Sequence, residues 1–433
     1  MATINKTAPF VNHEGAKSRN FKPQEELERA LLNCFLWEPN FYETGESVAT
    51  RISELITKVK PNYLSDLVLK ARTDYKLRHA PIFICAEMFK IENLKEEAMK
   101  VLPKICKRPD DLTELVALYW RDGKKLLPKK MRSAIGESLH NFDEYQLAKY
   151  QNRGAVKLID LFNLCHPIPG ERQGLWSKFI KGKLDPPVTW EVMLSKQGNT
   201  KETWEELIKE NKLGGLAYLR NIRNMEQAGV DKSLIKDGLL NLNAKMVLPF
   251  RFLAAAKHGP RFHRELEKLM FKSAEQYSLS GKTVVLVDVS GSMDFLLSQK
   301  SDLRRMEAAC ALAMIMAECC KNVEIYTFSE KLVYIPPRRG FALLDIIAQS
   351  QPNYGTYLGG AVRAVVEREK FDRLIIITDE QSHDTLPSMD GYRSYIINVG
   401  VYDKGVSSGQ CTRINGFSEN VIRYIEMLEE RSS

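Results

Sequence analysis

"TVVLVDVSGSMDF", residues 283–295, runs five apolar or β-branched residues straight into Asp288, Ser290 and Ser292. A run without polar alternation reads as a strand covered on both faces, which is the habit of parallel sheets flanked by helices. The same grammar returns in "NVEIYTF" (322–328), "RLIIIT" (373–378) and "SYIINVG" (394–400). Helical patterns lie between these runs, in "MEAACALAMIMAEC", "FALLDIIAQS" and "LGGAVRAVVERE", and a last one follows in "SENVIRYIEMLEE". Strands alternating with helices predict a doubly wound, Rossmann-like α/β domain over 279–433, with ligands at the carboxyl ends of its strands.

Upstream, the pattern is helical almost throughout. "PQEELERALLNCFLW", "SVATRISELITKV", "YLSDLVLKARTDY", "LTELVALYW" and "AVKLIDLFNL" repeat apolar residues at spacings of three and four. Paired helices of this length predict a HEAT-like α-solenoid over 22–278, preceded by a polar arm at 1–21. No strict sequence period accompanies them.

Charge divides along the same line. The chain carries 63 Lys+Arg and 55 Asp+Glu. Residues 279–433 hold 17 basic and 20 acidic side chains, which leaves 46 and 35 for the helical part. A basic module joined to a mildly acidic one directs any polyanion to the first. The eight cysteines form no C-x-x-C pair and sit in apolar patterns, so core thiols of a reducing compartment are expected. No apolar run reaches the roughly 18–20 residues that cross a bilayer. The opening residues also lack the apolar segment of a signal peptide. The expectation is a cytoplasmic protein with no membrane partner.

Three segments of the α/β domain bring oxygen ligands to strand ends or loops. They are Asp288, Ser290 and Ser292 in the first, Thr356 in "NYGTYLGGA", and Asp379 in "IIITDEQ". Hydroxyls and carboxylates are hard donors suited to Mg²⁺ or a similar divalent cation. Serines that merely cap the next helix are the plainer alternative, but capping does not account for the loop threonine and the second aspartate in this order. An aspartate-nucleophile phosphatase would want an acid two residues after Asp288, where Ser290 stands. With no evident general base nearby, binding outranks catalysis, and no enzymatic activity is expected.

D-x-S-x-S, a loop threonine and a strand-ending aspartate resemble the metal-ion-dependent adhesion site of von Willebrand factor A domains. The resemblance implies direct metal contacts from Ser290, Ser292 and Thr356, with Asp288 and Asp379 acting largely through water. It also implies an open coordination position for an acidic group of a partner.

The helical part resembles the TROVE module of Ro, vault-associated and telomerase-associated proteins. The resemblance rests on "NHEGAKSRNFKPQEELERALLNCFLW", "KYQNRGAVKLIDLFNLCHP", "VTWEVMLSK", "LAYLRNIRNM" and "VLPFRFLAAAK", in that order. Together with the metal-site domain it spans essentially the whole chain and points to the Ro type. It implies helical repeats curved into a ring, with small non-coding RNAs (Y or Y-like) on an outer basic surface. Single-stranded 3′ ends of misfolded RNA are implied for a central hole, with an exoribonuclease as a further partner. The positions matching the family's RNA contacts are Lys149, Arg153 and His166, with Arg132 close behind. On a helix Lys149 and Arg153 share a face, as do Lys129 and Arg132. The alternative is a metal-dependent protein–protein adaptor with no dedicated RNA ligand.

Overall fold

The computed structural model describes residues 22–32, 45–152, 154–297, 303–352, 354–399, 411–415 and 420–430. The chain forms two compact units. One comprises 22–34 with 47–198, and the other is built on 199–433.

The first unit is helical. Helices Pro61–Thr73, Lys95–Ile105 and Lys129–Leu139 begin at even spacing and stack on one another as one layer. His79–Met88, Pro109–Tyr119 and Glu144–Tyr150 stack as a second layer against them. This is the two-layer repeat of an α-solenoid, and it recurs in structure although the sequence shows no period. Two of these helices open with proline, Pro61 and Pro109, where the missing N–H costs nothing. The repeats are tied at Asp111, whose carboxylate is fully buried. It accepts Arg72 Nη2 (2.8 Å) and Arg78 Nε (3.0 Å), together with the backbone N–H of Lys107 (3.0 Å) and Arg108 (3.1 Å). One side chain thus caps its own helix and answers two arginines from the preceding repeat.

The second unit starts with helices Lys201–Lys209, Gly215–Gln227, Lys232–Leu240, Pro249–His258 and His263–Ala274. A six-stranded sheet follows, made of β1 (Leu279–Asp288), β2 (Cys320–Phe328), β3 (Leu332–Ile335), β4 (Arg373–Thr378), β5 (Ser394–Asn398) and β6 (Thr412–Asn415). Their order is β3-β2-β1-β4-β5-β6, parallel throughout except for β3. β4 and β5 are buried at every residue, as their unbroken apolar runs require. From β1 the chain winds outward through helix Arg305–Cys319 to β2, then returns through helix Leu358–Arg368 to β4 on the other side of β1. The carboxyl ends of β1 and β4 therefore form the switch point of the sheet.

The four strands read from sequence are present, and β3 and β6 add to them. Both are four-residue edge strands, too short to show an alternation. Strand grammar begins at residue 279, yet the compact division falls earlier, between Gly198 and Asn199. Helix His263–Ala274 shows why. Its Glu267 Oε1 accepts the N–H of Phe341 at 2.8 Å, and the His263 ring lies 5.4 Å from that of Phe341. The carbonyl of Ala274 accepts the Cys319 thiol at 3.7 Å, and the Arg423 guanidinium lies 5.2 Å from the Tyr277 ring.

Every described cysteine is a free thiol, and burial raises its pKa, to about 12 for Cys310 and about 11 for Cys411. Among the described residues, no helix is long and apolar enough to cross a membrane.

Candidate metal centre and RNA-contact residues

The loop after β1 lies where the ends of β1, β2 and β4 meet the threonine loop before helix Leu358–Arg368. Asp288, the last residue of β1, is fully buried, as are Ser290 and Asp379; Thr356 is buried as well, and Ser292 is partly exposed. Asp288 Oδ1 accepts the N–H of Ser290 (2.9 Å), and Oδ2 accepts Thr378 Oγ1 from the end of β4 (2.5 Å). Ser290 Oγ and Ser292 Oγ lie 3.2 Å apart. The threonine loop is pinned to the same edge: the carbonyl of Tyr354 accepts the N–H of Gly291 (3.2 Å), and Ser329 Oγ donates to the carbonyl of Gly355 (2.8 Å). The carbonyl of Thr356 accepts the N–H of His383 (2.9 Å), which joins this loop to the segment after Asp379. All five residues read as ligands from sequence are thus brought to one edge.

The electrostatics of this edge favour a cation. Burial, and then the neighbouring Asp379 carboxylate, push the Asp288 carboxyl up to about 7. Two carboxyl groups held together in a dry site call for positive charge; the Arg305 guanidinium supplies it at Asp379, and among the described residues Asp288 has no ion pair. The donor set consists of hydroxyl and carboxylate oxygens. Octahedral ligands at about 2.1 Å from Mg²⁺ stand about 3 Å from one another, close to the separation of the two serine hydroxyls. The residues present fit a hard divalent cation.

A further residue belongs to this edge. Arg305, the first residue of helix Arg305–Cys319, donates from Nη1 to Asp379 Oδ2 (2.9 Å) and to the carbonyl of Ser292 (3.3 Å). The pair is almost wholly buried, with side-chain exposures of 4% and 0%. Nothing in "SDLRRMEAAC" marks Arg305 rather than Arg304 as the buried one. Thr378 was also missed, although its place before Asp379 in "IITD" offered a signal. His383 is exposed, with its ring 5.7 Å from that of Tyr357.

In the helical unit, Lys129 and Arg132 are exposed in the first turn of helix Lys129–Leu139, sharing a face as expected. Lys149 is half-buried near the end of helix Glu144–Tyr150, its Nζ 5.5 Å from the centre of the Tyr145 ring. The helix ends at Tyr150. Beyond it Lys157 Nζ donates to the carbonyls of Asn152 (2.9 Å) and Gly154 (2.8 Å), holding a loop in place of another helical turn. Arg153 itself lies outside the described residues.

His166 ends helix Leu158–Cys165 in the left-handed conformation (φ 45°), a place glycine usually takes. It is exposed and lines a cavity of about 460 Å³ with Phe162, Trp176, Ile180 and Lys181. Arg132 acts electrostatically on the adjacent Cys165, which brings it to the same region. An imidazole beside aromatic rings and two cations offers stacking together with charge.

Comparison with known proteins agrees with both halves. Residues 14–182 and 172–318 match the TROVE domain, and residues 282–417 match the Ro60 vWA domain. Telomerase protein component 1 of Rattus norvegicus is 33% identical over 153 residues, covering 33% of this chain and 6% of that protein. Its Mus musculus counterpart is 32% identical over 344 residues, covering 57% of this chain and 13% of that protein. The chain therefore spans only a small part of these relatives. The crystal structure of the Deinococcus radiodurans Ro (RSR) protein shares the fold, with a TM-score of 0.62 at 15% identity over 98% of this chain and 95% of that one. A helical solenoid matching the TROVE domain over more than half of the sequence, joined to an α/β domain of the Ro60 type, places this chain in the TROVE-domain family of Ro-type proteins.

Proposed function

We propose that this chain is a non-catalytic RNA-binding protein of the Ro type, working in the cytoplasm in RNA quality control. Small structured RNAs of the Y kind rest on its basic helical surface, and single-stranded 3′ ends of misfolded RNAs are the second ligand. An exoribonuclease that consumes such ends is the natural partner. The observation that carries this reading is His166: an exposed imidazole held in a left-handed conformation over an aromatic-lined cavity, with Lys181 on its wall and Arg132 close by. Aromatic and imidazole surfaces stack on unpaired bases while neighbouring cations take the phosphates.

The sheet edge supports a separate role. Ser290, Ser292 and Thr356 would hold Mg²⁺ directly, with Asp288 and Asp379 behind them. The bound cation would supply a positive centre with a position open to a partner's carboxylate. That is the adaptor reading, and the buried oxygen cluster favours it as an additional function.

The test is the ratio of absorbance at 260 and 280 nm in freshly purified protein, followed by competition between two RNAs of identical helix, one blunt and one with a single-stranded 3′ tail. Co-purifying RNA removable by nuclease, and a clear win for the tailed RNA that His166→Ala narrows, support the proposal. Protein that carries no RNA and binds neither competitor would leave only the adaptor.

A further inference from the structure

The second compact unit carries a basic groove that nothing in the RNA reading above uses. It lies between helices Gly215–Gln227 and Pro249–His258 and encloses about 400 Å³. Arg220 and Arg223 stand three apart on one helix, and Arg251 and His258 seven apart on the other, so each pair shares a face. Ala254 and Ala255 lie between Arg251 and His258, leaving a floor with little side-chain bulk. The helices are held close at both ends of the pair. A Cβ on Gly215 would meet Val247 Cγ2 at 2.8 Å, and one on Gly259 would meet Ile222 Cγ2 at 2.8 Å. The walls of the groove are therefore fixed by packing before any ligand arrives.

Charge separates this groove from its surroundings. Nearby cations are answered by acids: Lys236 by Glu265 (2.8 Å), Lys257 by Glu307 (2.8 Å), and Arg261 by Glu226 (3.9 Å). Among the described residues, Arg220, Arg223 and Arg251 are exposed and take part in no ion pair, and no acidic side chain lines the cavity. Guanidinium groups left facing one another across a groove repel unless an anion lies between them. Their planar forks match phosphate oxygens in pairs, which a lysine ammonium does not. An ordinary solvated face would intersperse acids among these arginines, as the neighbouring surface does.

We propose that this groove binds the phosphodiester backbone of a single RNA strand, with Arg220, Arg223 and Arg251 on successive phosphates and His258 against a base or sugar. The proposal rests on the RNA-binding reading and adds a phosphate site in a different compact unit from His166. One strand is specified by size: the groove encloses about 400 Å³, the scale of a small-molecule cleft, which takes a stretch of one backbone and not a duplex. Free phosphate shares the chemistry, so the experiment must separate it from RNA.

Binding of a fluorescent single strand of about ten nucleotides, a length within the span of known single-strand sites, is measured across a salt series. The full chain is compared with Arg220→Ala/Arg223→Ala and Arg251→Gln, with His166→Ala in parallel. Removing Arg220 and Arg223 should weaken binding and flatten the plot of log K against log salt by about 0.7 for each phosphate no longer neutralised. A strand bearing 4-thiouridine should crosslink to residues 215–227 or 249–258 in the parent chain. All three arginines are exposed, so the variants should keep the parent's unfolding temperature; should the double variant not, Arg251→Gln and the crosslink decide. If the groove variants keep the parent's affinity and slope while His166→Ala weakens binding, the groove is overturned and the RNA reading stands. If the parent binds no RNA, both fall. If millimolar inorganic phosphate displaces the strand as completely as excess unlabelled RNA does, the groove is a small-anion site and the strand assignment is wrong.

Discussion

At the carboxyl edge of the sheet, Asp288, Ser290 and Asp379 are wholly buried and fixed by hydrogen bonds from Thr378 and Arg305. On the helical unit Lys129, Arg132 and His166 are exposed. In the first region the groups that would hold a ligand also hold the fold, and each removal leaves a buried partner unanswered. In the second, the candidate RNA-contact side chains project from a scaffold whose stability is supplied elsewhere, at nodes such as Asp111. Substitutions should therefore couple stability to ligand binding at the sheet edge and separate them on the helices.

The largest effects test the buried nodes. Asp111→Ala leaves Arg72, whose side chain is 9% exposed, without its carboxylate, while Arg78 keeps Asp110 at 2.9 Å. Loss of a buried pair of this kind costs about 3–5 kcal/mol, and thermal melts should show the helical unit unfolding first. Arg305→Gln removes the guanidinium that pairs with Asp379, at comparable cost. Here the two regions part, because millimolar Mg²⁺ can supply the positive charge that Arg305 gave up. Mg²⁺ should raise the unfolding temperature of Arg305→Gln more than that of the parent, and should do nothing for Asp111→Ala. Equal gains in all three proteins would mean that Arg305 and the cation do not share Asp379.

Next comes the double variant Asp288→Ala/Ser290→Ala. Metal binding followed by calorimetry should vanish, while affinity for a tailed RNA stays within roughly twofold of the parent, since single-strand contacts come from cationic and aromatic surfaces elsewhere. A folded double variant that loses RNA along with metal would join the two regions into one site. Smaller again is Lys129→Ala with Arg132→Ala. For every phosphate these side chains neutralise, their removal should flatten the salt dependence by about 0.7 for single strands or 0.9 for duplex, with the melting temperature unchanged. The smallest is His166→Gly. Relieving a left-handed non-glycine residue should stabilise the helical unit by about 1 kcal/mol while RNA affinity falls, so function and stability move in opposite directions at one residue.

Legibility in the sequence follows the same contrast. β1, β4 and β5 were readable because burial on both faces forces apolar runs, and β2 from its β-branched and aromatic residues; Asp288, Ser290, Ser292 and Asp379 end or follow such runs, and Thr356 stands just before a helix. Arg305 was not, since its burial depends on Asp379 in a segment 74 residues away. β3 and β6 gain their pairing from neighbours, with too few residues of their own to show it. On the helices an exposed lysine carries no such imprint. The helix carrying Lys149 stops at Tyr150, before Asn152 and Gly154, which are loop-forming residues, so helical spacing does not extend to position 153.

Helix His263–Ala274 bears on how this protein is best taken apart. A fragment cut where the strands begin, at residue 279, would keep the sheet and its candidate metal edge. It would also strip away Glu267, His263, Ala274 and Tyr277, and lay bare the surface around Phe341, Cys319 and Arg423 that they cover. Newly uncovered apolar surface invites self-association, and metal titrations on such a fragment would report on its aggregates. The TROVE match running on to residue 318 crosses the same seam. The piece to excise begins at Asn199, because helix His263–Ala274 and the segment after it serve as the floor of the domain that follows them.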